Sequence, residues 1–445
     1  MKTKFILACA GLLLIWSSSY GQISNVEYTE FDLDNGLHVI LHEDHSTPVV
    51  AVTVMYHVGS KNENPDRTGM AHFFEHLLFE GSENIKRGEF DRYIENAGGT
   101  LNANTSNDRT FYYEILPSNQ LELGLWLESE RMLHAKIEQE GIDTQNEVVK
   151  EEKRLRMDNS PYGKLLSETM GHAYNVHPYK WPVIGSMEHL DATTHTDFMD
   201  FYKLFYVPEN AVLSIAGDLD VSEATKLIKK YFKGIPRGGK AIPRPTEMEP
   251  VKTEEVRDTI WGKDQLPAIV MAYHIPAQGT DDYYAVDMLN QVLSGGESSR
   301  LTKSVVDEKQ LAVFAGAFSF GTEDPGVTLG FSIANMGVEP VEVEEAMLQE
   351  IDLLKTELIS EREFQKLRNQ IESQFVQGNS SMAGIAESLA NYHMYFDDAN
   401  LINTEIDKYL AVTKEDIMAA AKKYYTKENR VVLYFMYDEN FGEEN

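Results

Sequence analysis

The chain has 445 residues, of which 42% are hydrophobic and 10% aromatic, so it is globular and long enough for at least two domains. Its formal net charge of −31 repels the phosphates of nucleic acids and argues against that class of partner. Beyond the N-terminal segment, no apolar stretch reaches the roughly 20 residues that a membrane-spanning helix needs.

The N-terminus shows the pattern of a secretory signal peptide. Two lysines flank the start of an apolar run of twelve residues from Phe5 to Trp16, and small or polar residues follow. We expect residues 1–21 to be removed on export to a bacterial periplasm, with secretion as the alternative. A membrane anchor is the other interpretation, but the run is short for a span of about 20 residues. Cys9, the only cysteine, lies in this segment, so the mature chain forms no disulfide.

The rest of the chain contains an internal repeat. The stretches AVTVMYHVGS and FYVPENAVLSIAGD in the first half resemble AIVMAYHIPA and YYTKENRVVLYFMYD in the second. His57 then aligns with His274 and Asn210 with Asn429, at offsets of 217 and 219 residues. Offsets that differ by only two residues indicate a duplication, which is the signature of two structurally similar domains.

A segment rich in proline and glycine separates the two halves. Residues 235–255 show no periodicity and predict a linker between a first domain at 22–234 and a second domain at 256–445. Strands of alternating polarity are followed by helical runs, but strands and helices do not alternate one to one. This order predicts the α+β class. We expect each domain to be a mainly antiparallel sheet with helices on one face.

Residues 69–80 predict an amphipathic helix that carries a polar triad. His72, Glu75 and His76 fall on the side opposite its apolar residues. Two histidines four residues apart can supply two nitrogen ligands to zinc, and Glu75 beside them can act as a general base. A solvated helix face is the alternative interpretation.

A catalytic zinc site needs a third protein ligand. The best candidate lies in an amphipathic helix predicted from about Thr144 to Met157, whose apolar face is formed by Val148, Val149 and Leu155. Glu152 falls near the middle of that face, where an unpaired carboxylate is costly unless it is bound to a metal. Glu151, toward the edge of the face, remains the alternative ligand.

The combination of HFFEH and this later glutamate resembles the inverted-zincin metallopeptidases of the pitrilysin and insulinase type. Within them the chain is most similar to the zinc-bearing subunits of the bacterial branch related to the mitochondrial processing peptidase. Similar motifs run along most of the mature chain: GGTLNANTSNDRTFYYEILP, DNSPYG, HPYKWPVIGSMEHL, YVPENAVLSIAGDL and GGESSRL.

The resemblance implies that His72, His76 and Glu152 bind one zinc ion and that Glu75 is the base. It also implies two similar α+β halves that form half of a clamshell around a chamber. The substrate peptide would add as a strand to a sheet edge at residues 102–104, which are Asn102, Ala103 and Asn104. A simple polar sheet edge is the alternative interpretation of that strand.

The second half departs from the metal-binding pattern. Val286, Leu289 and Asn290 stand where the ligands and base would be, so this half is expected to hold no metal. Related second halves usually offer an arginine and a tyrosine that grip the substrate, but here Val306 and Val313 occupy those positions. We therefore expect a heterodimer, in which a homologous two-domain subunit supplies the missing arginine and tyrosine.

A glutamine near the candidate ligands and three histidines near the N-terminus are the remaining polar candidates. Gln145, seven residues before Glu152, stands where some relatives have a glutamate and is expected to orient the site by hydrogen bonding. His38, His42 and His45 lie close together in sequence, but a strand and turn do not make them converge, so we expect ordinary surface histidines.

The sequence thus predicts a zinc endopeptidase that cleaves peptides or small unfolded proteins inside a closed chamber. The competing prediction, from a different class, is a non-catalytic peptide-binding or assembly subunit with a structural zinc site. The complete set of His72, Glu75, His76 and Glu152 favours the enzyme, because a subunit without activity has little reason to retain the base.

Overall fold

The structure is a computed structural model that describes residues 25–439 and 441. The predicted signal peptide, residues 1–21, lies outside the described residues. Two β-sheets, one in each half of the chain, organise the fold. Within the described part of the chain, no helix combines the length and apolar character needed to cross a membrane.

The first sheet has six strands in the order β1-β2-β6-β3-β5-β4. All neighbours are antiparallel except β2 and β6, which run parallel. The strands are β1 (Thr29–Asp32), β2 (His38–Glu43), β3 (Val49–Tyr56), β4 (Thr100–Thr105), β5 (Thr110–Pro117) and β6 (Ala211–Gly217).

The second sheet has five strands in the order β7-β11-β8-β10-β9, with one parallel pair, β7 and β11, in the equivalent place. It therefore repeats the first sheet without an equivalent of β1. The strands are β7 (Val256–Gly262), β8 (Ala268–His274), β9 (Ala312–Phe320), β10 (Val327–Ala334) and β11 (Arg430–Tyr437).

The predicted duplication is visible in matching hydrogen bonds. The Asn210 side-chain amide donates to the carbonyl of His57, at 3.3 Å, and the aligned Asn429 donates to the carbonyl of His274, at 2.9 Å. Each asparagine also donates to a carbonyl five residues earlier. The α+β prediction with two similar, mainly antiparallel halves is confirmed.

Apart from α5 and α12, the helices of each half contribute to the main core on one face of that half's own sheet. The first half contains α1 (Met70–Leu77), α2 (Phe90–Asn96), α3 (Leu121–His134), α4 (Gln139–Lys153), α5 (Leu165–Ala173), α6 (Met187–Ala192), α7 (His195–Phe205) and α8 (Val221–Phe232). The second contains α9 (Asp281–Ser294), α10 (Pro340–Thr356), α11 (Glu361–Gly378), α12 (Met382–Phe396), α13 (Leu401–Ala411) and α14 (Lys414–Tyr424).

The opposite face of each sheet is covered by a helix from the other half. Helix α12 brings Ile385 and Leu389 onto the first sheet, against Met55 and Phe111. Helix α5 packs in return on the second sheet. The segment 235–255, predicted as a linker, contains no helix or strand. This exchange joins the two halves through apolar contacts, so we propose that they fold as one cooperative unit.

A buried ion cluster adds polar contacts between the halves. The Lys61 ammonium, with 3% of its side chain exposed, lies 2.8 Å from the Asp108 carboxylate of the first half. It also lies 2.5 Å from Glu323 of the second half, whose carboxylate accepts a further hydrogen bond from His57 at 2.7 Å. Burial acts to raise the pKa of Glu323, but His57 and Lys61 outweigh it and lower the pKa to about 2.

Glu323→Gln is expected to destabilise the protein, by about 2–3 kcal/mol at neutral pH. Because the folded pKa of about 2 lies below the ordinary 4.5, this contribution is present above pH 4.5 and is lost as the pH falls toward 2. Urea unfolding of wild type and variant between pH 7 and pH 3 measures the difference. Glu345→Gln, at an exposed position of α10, is the control, and a difference that stays constant with pH contradicts the assignment.

Candidate metal centre

The polar triad lies on α1, a helix of eight residues. Its apolar residues anchor it in the core, with Phe74 fully buried and Leu77 1% exposed. His72 is buried, while Glu75 and His76 are partly exposed on the other side. The helix therefore holds the three candidate side chains on a face directed away from the apolar anchors Phe74 and Leu77.

Buried groups from outside the helix fix both of its ends. Before it, Gly69 adopts φ +94°, and a Cβ there would meet the Ile184 carbonyl at 2.7 Å. The Glu63 carboxylate, 6% exposed, accepts the N–H groups of Gly69 at 2.9 Å and Ala71 at 2.8 Å. At the other end, the Tyr112 hydroxyl donates to the Phe74 carbonyl at 2.9 Å. Free N–H groups at a helix start need such acceptors.

Glu63→Gln is expected to destabilise the protein by about 1–3 kcal/mol, since the new amide nitrogen faces an N–H group and leaves it without an acceptor. The expected result is a lower free energy of unfolding and weaker metal binding, because α1 carries both histidines. Chemical denaturation and a zinc titration measure the two effects. Glu83→Gln, at an exposed carboxylate nearby, is the control, and a variant as stable as wild type would refute the capping role.

Helix α4 lies against α1 and brings Glu152 to the two histidines. Its Oε2 is 3.5 Å from Nε2 of His72 and 3.2 Å from Nε2 of His76. One ligand atom from each of the three residues lies within 4.8 Å of the others. The alternative ligand, Glu151, points away: it is 58% exposed and pairs with Arg154 at 3.1 Å. The geometry thus brings together the three predicted ligands.

The predicted apolar face of this helix is wrong for two of its three residues. Val149 is buried, but Val148 is 44% and Leu155 60% exposed. Helix α4 ends at Lys153, and a π-helical turn, Arg154–Asp158, follows and changes the register of side chains. Glu152 is only 15% exposed because it faces α1 and not because it lies among apolar neighbours on its own helix.

The protonation states suit a divalent metal ion. Burial, with the charge of His76, lowers the pKa of His72 to about 4, so its ring is neutral at pH 7. A hydrogen bond with His76 lowers the pKa of Glu152. Oε2 of Glu152 is buried between the two imidazoles, 3.5 Å from Nε2 of His72 and 3.2 Å from Nε2 of His76. Two imidazoles and a carboxylate fit the ligand set of catalytic zinc, which keeps a further position open.

The planes of the imidazole rings show which of two histidine clusters can bind one metal ion through both rings. The rings of His72 and His76 cross at 71°, so their nitrogen lone pairs can converge on one point. Among described residues, a second cluster combines Glu30, His38 and His393. There the rings stack at 3.4 Å with an angle of 3°, and one ion cannot lie in both ring planes.

The remaining histidines of the N-terminal group take separate partners. His42 bonds the Glu27 carbonyl at 2.6 Å, and His45 bonds Asp218 at 2.6 Å. They do not converge with His38. Sequence spacing could not reveal the contact between His38 and His393, because the latter lies on α12 in the other half of the chain.

Glu75 lies between the metal site and the edge of the first sheet. The Thr105 hydroxyl, at the end of β4, donates to Glu75 Oε2 at 2.7 Å. Burial raises the pKa of the Glu75 carboxyl, with the Thr105 hydrogen bond opposing it. A carboxylate held in this way can take and return a proton beside the site.

Strand β4, with the predicted substrate-binding residues, is the edge strand of its sheet. Asn102 and Asn104 are exposed and Ala103 is buried. The Ala103 N–H donates to the side-chain oxygen of the neighbouring Asn102 at 2.9 Å. The backbone at Ala103 therefore lies on the open edge, where an extended peptide could pair with it.

Gln145 lies on α4 near the start of the site. Its side-chain amide donates to Glu80, four residues after His76, and its side-chain oxygen is buried without a hydrogen-bond partner. The contact ties α4 to the segment that follows α1. Through this hydrogen bond, Gln145 can influence the placement of the two helices that carry the candidate ligands.

In the second half, the positions aligned with the site belong to the core. Val286 and Leu289 are fully buried on α9. Asn290 accepts hydrogen bonds from Thr328 at 2.9 Å and Tyr425 at 2.7 Å, and donates to Ser319. Neither cluster of potential ligands found among the described residues lies on α9.

Sequence comparison shows two matched family models. One described as insulinase (peptidase family M16) matches residues 38–185, and one described as the peptidase M16 inactive domain matches residues 192–371. The zinc protease PqqE of Helicobacter pylori is 32% identical over 437 residues, covering 97% of this chain and 98% of the relative.

Solved structures show the same fold. A protease from Helicobacter pylori superposes with a TM-score of 0.88 at 30% identity, covering 92% of this chain and 99% of the other. The periplasmic protease PqqL from Escherichia coli gives a TM-score of 0.75 at 19% identity. In that case 93% of this chain matches only 48% of the longer one.

Proposed function

This chain belongs to the insulinase family of peptidases, family M16, and from that premise we propose that it is a zinc endopeptidase. The proposed substrates are peptides or small unfolded proteins, cleaved inside a closed chamber. The observation that carries the proposal is the convergence of His72, His76 and Glu152 from two helices, with Glu75 beside them.

His72, His76 and Glu152 would hold the zinc ion, whose Lewis-acid chemistry polarises a carbonyl and lowers the pKa of water to about 7. The other steps belong to this chain. Glu75 removes a proton from the attacking water and returns it to the amine that leaves. Thr105 holds one oxygen of Glu75 in place, at 2.7 Å.

The open edge of β4 is the proposed binding site for the substrate backbone. Residues Asn102, Ala103 and Asn104 lie next to the strand end that contacts Glu75, so a peptide paired with this edge passes the proton acceptor. Pairing through backbone groups favours extended peptides over folded proteins and reads little of their sequence.

We propose further that a homologous two-domain subunit completes the chamber. Val306 and Val313 supply no polar grip for the substrate, and this chain matches about half of a longer solved protease, at 48% of its length. The mixture of this chain with such a subunit should cleave peptides faster than either alone. Full activity of this chain by itself, without gain from a partner, would refute the heterodimer.

The signal-peptide pattern of residues 1–21 supports export, and we propose that the enzyme works in the periplasm. Secretion remains the alternative destination. Fractionation of cells that express the full chain, followed by mass spectrometry of the mature N-terminus, tests export and processing together.

The test of the proposed function is cleavage by the purified mature chain, alone and with its co-purifying partner. Fluorogenic peptides and a chemically unfolded small protein should be cleaved, the same protein in its folded state should not, and a zinc chelator should stop cleavage. A chain that binds zinc and peptides but cleaves neither substrate would instead be the non-catalytic subunit, and the enzyme proposal would be wrong.

A further inference from the structure

Arg156 places a cation at the rim of the candidate metal centre. Its Nη1 lies 2.8 Å from Oε1 of Glu152, while Oε2 of the same carboxylate faces His76 at 3.2 Å. One carboxylate thus separates the guanidinium from the imidazoles. The Arg156 side chain is 75% exposed, so its N–H groups that point away from Glu152 face solvent.

The next arginine along the same turn shows why Arg156 is unusual. Arg154 pairs with Glu151 at 3.1 Å, and both side chains are about half exposed, at 44% and 58%. Such surface pairs contribute about 0–1 kcal/mol and need no function. Arg156 instead pairs with a carboxylate that is only 15% exposed and that faces both candidate histidine ligands.

The backbone supports this placement. Both arginines lie in the π-helical turn Arg154–Asp158, where the Asn159 N–H donates to the Arg154 carbonyl, at 2.7 Å. Single π-helical turns within or after an α-helix recur at functional sites, since they change the direction of side chains. Here the turn begins two residues after Glu152, a candidate ligand.

Resting on the proposed peptidase function, we propose that Arg156 is a catalytic residue that binds the carbonyl oxygen of the scissile peptide bond as it becomes negatively charged. Attack of water forms a C–O bond, moves the π electrons of the carbonyl onto its oxygen and gives one water proton to Glu75. The electron pair on that oxygen then re-forms the carbonyl double bond, the C–N bond breaks with its electrons going to nitrogen, and Glu75 gives that proton to the leaving amine. Arg156 stabilises the charged oxygen between these two steps.

A positive charge from Arg156 matters because the second half of this chain offers no cation where related second halves have an arginine and a tyrosine. Val306 and Val313 stand there, and Val313 is 52% exposed on β9. Arg156 supplies a positive charge from the same half as the candidate ligands, next to Glu152. A partner subunit that grips the substrate elsewhere would therefore not replace it.

The test compares Arg156→Ala and Arg156→Lys with a matched control, Arg154→Ala, from the same turn. Three quantities are measured on the mature chain with its partner present: zinc content after dialysis, kcat and KM for a fluorogenic peptide, and the Kd of a phosphonamidate peptide. That analogue carries a tetrahedral anionic centre in place of the scissile bond. An uncharged substrate-like peptide is titrated in parallel.

The expected result for Arg156→Ala is a loss of about 10²–10³-fold in kcat with little change in KM. Binding of the phosphonamidate should weaken by a similar factor, while zinc content and binding of the uncharged peptide should stay as in wild type. Arg156→Lys should retain part of the kcat and of the analogue binding that Arg156→Ala loses. Arg154→Ala should behave as wild type.

Wild-type analogue binding in Arg156→Ala would overturn the proposal. So would loss of zinc from that variant, which would leave Arg156 only the task of holding Glu152. A wild-type chain that binds zinc but cleaves nothing contradicts the proposed peptidase function, and the analogue titration still decides on Arg156.

Discussion

Glu75→Gln is expected to abolish peptide cleavage while zinc stays bound. Glutamine keeps the size of the side chain and one oxygen that accepts the Thr105 hydroxyl, but it cannot take a proton from water. Loss of a general acid–base group lowers kcat by about 10²–10⁴-fold. Steady-state kinetics and metal analysis of the same sample measure both quantities.

The control for Glu75→Gln is Glu151→Gln, which changes an exposed carboxylate near the site that pairs with Arg154. It should retain wild-type kcat and zinc content. Cleavage by Glu75→Gln at a rate within a few-fold of wild type would show that another group moves the proton.

Glu152→Ala is expected to have the second large effect, which is the loss of zinc. Two histidines alone leave the metal with too few protein ligands, since catalytic zinc sites use three. Loss of an outer hydrogen-bond partner of a ligand already costs about 10–100-fold in affinity, so loss of the ligand itself should exceed about 100-fold. Competition with a chelating dye measures the affinity.

Glu151→Gln serves again as the matched control, because the two glutamates are adjacent on α4 and only one faces α1. It should bind zinc as wild type does. If the two variants lose zinc equally, or if Glu152→Ala retains it, the ligand set proposed here is wrong.

The core of the site could be predicted from local spacing. His72, Glu75 and His76 share one face of a helix because of its period, and the structure places them as that period requires. The preference for Glu152 over Glu151 rests on an apolar helix face that is wrong at Val148 and Leu155. The structure still brings Glu152 to the histidines, because a carboxylate with little exposure needs a partner, whichever helix supplies it.

Contacts between distant segments could not be read from one sequence. Glu63 precedes α1 by a few residues, but its burial depends on how the chain folds around it. The pair formed by Lys61 and Glu323 joins residues 262 positions apart. The spacing of four residues between Glu152 and Arg156 is visible in the sequence and is compatible with an ion pair. The direction of the Arg156 side chain, however, depends on the π-helical turn that follows α4.

The duplication likewise has one part that the sequence predicts and one part that only the fold determines. Aligned strands were visible as a repeat, whereas the covering of each sheet by a helix of the other half was not. Helices α5 and α12 have apolar faces that suit any sheet. Only the fold decides which sheet each one covers.

The measurement that tests the central claim most directly is a titration of metal-free mature chain, in its native complex, with zinc. Bound zinc and the rate of peptide cleavage are recorded on each sample. We expect the rate to rise in proportion to bound zinc and to level off at one ion per chain of this protein. Full cleavage by the metal-free chain, or a zinc-loaded chain with no cleavage, would contradict the claim that this site performs zinc-dependent peptide hydrolysis.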